Sequence, residues 1–86
     1  MSRPGAKSPG RPVKHSFAIR GHRTSISLEA AFWDALREAA VEESTTLAEL
    51  VARIDLARDG AGLSGAVRVW LLARWRARAG AGEVRE

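Results

Sequence analysis

The chain has 86 residues, a formal net charge of +4 and no cysteine. This length points to one small domain, and the missing cysteine excludes a disulfide staple and a thiolate metal centre. No apolar run approaches the roughly 20 residues of a membrane span, and the basic N-terminus has no apolar stretch behind it that would suggest a secretory signal.

The charge is unevenly placed. Residues 1–23 carry six cations and no acid, a net +6. Residues 29–59 carry eight acids against Arg37, Arg53 and Arg58, a net −5, and residues 60–86 return to +3. A basic end beside an acidic middle suggests a polyanionic partner at one end of the protein. A core built from so few residues supplies only about 3–5 kcal/mol, so tight helix packing and oligomerisation are the ways left to gain stability.

Residues 1–13 hold all three prolines and no large apolar side chain between Met1 and Val13, which predicts a flexible basic arm. Gly10-Arg11-Pro12 matches the centre of a minor-groove hook, but Pro9 stands where such hooks carry a second arginine.

In 14–22, Phe17 and Ile19 alternate with Ala18 and Arg20, which suggests a strand. The apolar parity changes after Gly21. Gly21 marks a bulge, or Gly21-His22 is a two-residue hairpin turn. The hairpin accounts for more. It pairs Arg20 with Arg23, Ile19 with Thr24, Ala18 with Ser25 and Phe17 with Ile26. Phe17, Ile19, Ile26 and Leu28 then share the core face, and Arg20, Arg23, Ser25 and Ser27 share the other.

Three helices follow. The first is expected at about 29–43, capped by Ser27, with Phe32, Leu36, Ala39 and Ala40 on its stripe and Trp33 widening it. Thr46 and Glu49 form a capping box for a second helix at about 47–58, with Leu47, Leu50, Val51 and Ile54 on one face and Leu56 on the other. Ser64 is expected to cap a third helix at about 65–78, ending before a frayed tail. Val67, Trp70 and Leu71 make one stripe there, and Val69, Leu72 and Trp75 spread round the rest. A short helix that is apolar nearly all round is expected to be buried or to lie in a subunit interface.

No catalytic constellation is legible. His15 and His22 lie seven apart with no nearby acid, no glycine-rich loop leads from strand to helix, and no serine has a buried base. The sequence therefore predicts no enzyme, no metal and no cofactor.

Arg23-Thr-Ser-Ile-Ser-Leu-Glu29, Phe32-Trp-Asp-Ala-Leu36 and Thr46-Leu-Ala-Glu-Leu-Val51 resemble the ribbon-helix-helix family of bacterial DNA-binding repressors. The resemblance covers about 14–78 and is closer to a subgroup with a Ser-Phe-x-Ile-x-Gly-His-Arg-Thr-Ser stretch, here Ser16–Ser25, and a third helix opening Leu-Ser-x-Ala-x-Arg, here Leu63–Arg68. It implies a mainly α fold with a short β-ribbon, in an intertwined homodimer whose two strands enter the major groove of double-stranded DNA. By position, Arg23, Ser25 and Ser27 would read bases. Thr45, Thr46 and Leu47 at the start of the second helix, with Lys14 and Arg20, would hold phosphates. Ile26, Leu28, Phe32, Leu36, Leu50, Ile54 and Trp70 would form the core and dimer contact. A cytoplasmic, nucleoid-associated regulator is the implied role. The alternative is an antitoxin-like or adaptor module that holds a protein partner through the apolar third helix.

Three departures bear on the site. The reading face carries Ser25 and Ser27 where longer polar side chains are common in the family. Ser44 stands near the position where the family turn carries glycine. The added first strand raises a steric question, because four strands across a dimer would span about 14 Å. The major groove is only about 12 Å wide. Residues 15–20 then do not pair beside the ribbon, or the surface docks differently, or DNA is not read by this route.

Overall fold

The computed structural model describes residues 11–58, 60 and 62–82. The expected hook at Gly10 and most of the arm lie outside these residues. The elements run β1 (Pro12–Ile19), β2 (His22–Glu29), α1 (Ala30–Glu42), α2 (Leu47–Ala57) and α3 (Leu63–Gly82). The fold is mainly helical, with one two-stranded antiparallel ribbon.

The hairpin forms, with its turn one residue earlier than expected. Ile19 pairs with His22, Ala18 with Arg23, Phe17 with Thr24, Ser16 with Ser25, His15 with Ile26, Lys14 with Ser27 and Val13 with Leu28. The central turn residues are Arg20 and Gly21, at φ +49° and +81°. Positive φ at both positions is what a turn matching the strand twist requires. Glycine takes it freely, whereas an L-residue such as Arg20 carries a cost of about 1–2 kcal/mol. The Arg20 guanidinium donates to Asp55 of α2 at 2.9 Å, which ties the turn to that helix. The register moves by two residues, so each side chain keeps its expected face, except that Arg20 leaves the ribbon face for the turn.

Ile19, Ile26 and Leu28 point inward and join Trp33, Leu36, Ala39, Ala40, Leu50, Val51, Ile54, Val67 and Leu71 in one core. Trp33, expected only to widen a stripe, is 2% exposed, while Phe32 is half-buried. The Trp33 indole N–H donates to the Val13 carbonyl at 2.9 Å. Its ring meets His15 edge-on at 4.5 Å and stacks with Phe17 at 6.0 Å. The inner face of β1 therefore closes over Trp33.

Ser27 does not cap α1. It lies in β2, and its N–H is donated to the Ser64 hydroxyl at 3.0 Å. Glu29 is the cap residue and makes no side-chain cap bond. Ser64 is correspondingly not the cap of α3, which begins at Leu63 and runs to Gly82, past the expected end at 78. The capping box of α2 forms as read: Thr46 Oγ accepts from the Glu49 N–H, and the Glu49 carboxylate accepts from the Thr46 N–H.

Between α1 and α2, Ser44 takes φ +56°. The Thr45 N–H bonds the Ala40 carbonyl and the Ser44 N–H bonds that of Val41, which closes a Schellman turn. Serine thus occupies the left-handed position that favours glycine.

α3 is not buried all round. Val67 and Leu71 enter the core and Trp70 is half-buried, but Val69, Leu72 and Trp75 are 67%, 54% and 69% exposed. Leu56 on α2 is exposed as well.

Candidate nucleic-acid interface

The outer face of the ribbon carries Lys14, Ser16 and Ala18 from β1 and Arg23, Ser25 and Ser27 from β2. All but Ser27 are exposed; Ser27 is half-buried. The Ser16 and Ser25 hydroxyls lie 3.4 Å apart at the centre of this face. Of the expected base readers, Arg23 and Ser25 are placed together with their side chains free of α3. Ser27 is held by its backbone: Arg68 donates to its carbonyl at 3.3 Å, in addition to the Ser64 contact.

The cations divide into two groups. Arg20, Arg37, Arg53, Arg58, Arg68, Arg74 and Arg78 each face a carboxylate of the same chain. Among the described residues, Arg11, Lys14, Arg23 and Arg76 make no ion pair. Two of these four, Lys14 and Arg23, lie on the outer face of the ribbon, and Arg11 precedes its first residue. An unpaired cation keeps its field for an external anion, whereas one already beside a carboxylate has largely spent it.

The expected phosphate residues are not all in one place. Lys14 is on the reading face itself. Arg20 is engaged by Asp55 at the turn. Thr45, Thr46 and Leu47 open α2, but there the Glu49 carboxylate accepts from the Thr45 hydroxyl at 2.8 Å as well as from the Thr46 N–H. These two bonds hold the Glu49 carboxyl below its ordinary range. A phosphate at this helix start would meet a resident anion.

Acids elsewhere are used structurally. The backbone N–H of Glu29 and then Arg68 hold the Glu29 carboxyl below its usual value. Arg68 meets that carboxylate at 2.9 and 3.1 Å and lies over the Phe32 ring. Arg74 bridges Glu42 and Glu43, the latter at 2.7 Å; this bond chiefly lowers the Glu43 carboxyl and raises Arg74. Among the described residues, no group of three or more His, Asp or Glu side chains could hold a metal ion, and no helix is long and apolar enough to cross a membrane.

Sequence reasoning missed Ser16 and Ala18 as members of the face. The signal was present in the alternation of Lys14, Ser16 and Ala18 against Val13, His15, Phe17 and Ile19, but it becomes specific only once β1 is paired.

A paired ribbon with an exposed basic face, followed by a helix and a Thr-capped helix, is the order of elements of a ribbon-helix-helix domain. The sequence pattern of the ribbon-helix-helix domain matches residues 12–75, and the chain belongs to that family. Its members are generally non-enzymatic DNA binders, usually dimeric. Comparison with curated proteins and with solved structures gives no match.

Proposed function

We propose that this protein is a DNA-binding transcriptional regulator acting as a homodimer in the bacterial cytoplasm, with the outer face of the ribbon in the major groove. The observation that carries this reading is the placement of unpaired Lys14 and Arg23 on one exposed ribbon face while seven other arginines are paired within the chain. Arg23 suits the N7 and O6 edge of guanine, and Ser25 serves several bases. Lys14 and Arg11 supply attraction to phosphate. The start of α2 contributes less, because Glu49 already occupies it. The experiment is a fluorescence anisotropy titration with duplex DNA at several salt concentrations, beside a sedimentation run for mass. A dimer whose affinity falls steeply with salt supports the reading; no affinity at low salt sinks it.

A second reading draws on α3. Its exposed Val69, Leu72 and Trp75 border two grooves of about 530 and 350 Å3, one lined by Ile54, Gly65 and Trp70, the other by Phe32 and Ala35. An apolar strip of this kind marks an association surface. It suits the second subunit, or a protein partner in an antitoxin-like or adaptor role. A monomeric mass with no duplex affinity would favour the protein partner.

A further inference from the structure

We propose that the outer face of α3 is a contact surface for a second copy of this chain, with the two α3 helices packed antiparallel. The proposal rests on the homodimer reading above and names what covers this face.

Gly65, Val69, Leu72 and Arg76 stand four, three and four residues apart, the heptad spacing of a helix–helix seam. All four are exposed, and they lie opposite Val67 and Leu71, which enter the core. Trp75 flanks the seam on one side; Ala66 and Ala73 flank it on the other. Val69, Leu72 and Trp75 together form an apolar patch of the kind that marks an association surface.

The shape of the face selects its occupant. A two-fold contact uses one patch twice, so the patch must be complementary to itself. A two-fold axis between residues 70 and 71 sets Val69 against the partner's Leu72 and Gly65 against the partner's Arg76. Ala66 then faces the partner's Ala73, and two small residues let the backbones approach. Trp75 faces the partner's Arg68, a favourable guanidinium–indole contact. At Gly65 a side chain would meet nothing within 4 Å of its own chain. Glycine weakens a helix, so its own chain gains nothing from it there. The space it leaves takes the apolar stem of the partner's Arg76.

Charge selects the antiparallel arrangement. Arg68, Arg74 and Arg78 are tied back to Glu29, Glu42 and Glu43 of their own chain. Arg76 makes no ion pair among the described residues. Parallel helices would set two Arg76 side chains together. The antiparallel pair separates them by eleven residues, about 16 Å.

The face also continues from the ribbon. Ser64 and Arg68, in the first two turns of α3, bond Ser27 on the edge of β2 that β1 leaves free. The dimer usual in the family brings a second ribbon strand to that edge, and a copy arriving there arrives beside α3. Size makes the two contacts work together. The seam from Gly65 to Arg76 is about 18 Å long and 10 Å wide. That is well short of the roughly 800 Å² per partner of a stable interface, so it adds to the ribbon contact and does not replace it.

The chain has no cysteine, so introduced thiols report alone. Val69→Cys and Leu72→Cys chains are oxidised separately and as an equal mixture refolded together, with Val41→Cys as the collisional reference. All three side chains are exposed, so none of these changes opens the core. The expected result is disulfide-linked dimer forming severalfold faster in the mixture than in either chain alone. Equal rates in the mixture and the separate chains, or rates no faster than at position 41, overturn the proposal. Sedimentation of Leu72→Glu is the second measurement. The expected result is dissociation at a concentration at least tenfold higher than for the wild type. A dimer of unchanged strength overturns the α3 contact and leaves the homodimer reading standing. A wild type that stays monomeric at high concentration overturns both.

Discussion

The ribbon and α3 are both rich in cations, and they use them in opposite ways. On α3, Arg68, Arg74 and Arg78 each meet a glutamate at the start or end of α1, and the helix is pinned along its length. On the ribbon, Lys14 and Arg23 meet no carboxylate. These three arginines of α3 hold the fold together; the two ribbon cations are left without a carboxylate of the chain. Segment charge alone does not separate these roles. The position of the acids at the two ends of α1 does, because Glu29, Glu42 and Glu43 lie within reach of α3, Glu43 also meeting Arg53 of α2.

The largest expected effect removes the platform beneath the ribbon. Trp33→Ala opens a cavity in the core and releases β1, at a cost of about 3–5 kcal/mol. A chain this small is expected to lose its cooperative thermal transition, which circular dichroism would register, and a retained transition would show that β1 is held by other contacts. Next come the ribbon cations. Arg23→Ala is expected to weaken duplex binding by about 1–3 kcal/mol and leave the melting curve in place. Equal losses of stability and affinity would erase the division between the two regions.

Arg74→Ala tests the other side. It unpairs Glu43 from α3 and leaves Glu42 to Arg78 alone, and the melting temperature is expected to fall by about 4–8 °C, as for a change near 1 kcal/mol in a domain of this size. Duplex affinity of the folded protein should stay within twofold. Acid sharpens the same point. The Glu29, Glu43 and Glu49 carboxyls all titrate below the ordinary value of 4.5. Their contribution is complete above that value and is lost as pH falls through their lowered folded values. The melting temperature should therefore hold from neutrality to mildly acid pH and drop below about pH 4.5. The smallest effect is at the Schellman turn: Ser44→Gly relieves a left-handed serine and should stabilise by about 0.5–1 kcal/mol.

Local chemistry was legible in the sequence. The Thr46–Glu49 box fixed the start of α2 because both partners lie within one turn. The alternation of 17, 19, 26 and 28 fixed the ribbon faces, since a two-residue slip keeps parity. What failed depended on distant partners. The turn fell on Arg20-Gly21 because Asp55, 35 residues away, holds Arg20 in a conformation that sequence rules assign to glycine. Ser27 resembled a cap, but Ser64 claims its N–H. Trp33 is the core residue its position suggested, but its indole bond to the Val13 carbonyl, 20 residues away, was not legible. For the candidate site, Arg23 and Ser25 could be read from β2 alone, whereas Ser16 and Ala18 needed the register.

The most direct test of the central claim compares salt dependence of duplex affinity across three proteins. These are the wild type, Lys14→Ala/Arg23→Ala and Arg74→Ala/Arg78→Ala. The account predicts a steep logarithmic slope for the wild type and for the α3 variant, and for the ribbon variant a slope reduced by about 1, from Lys14, with a further affinity loss from Arg23. An unchanged slope in the ribbon variant, or the same reduction in the α3 variant, would contradict it.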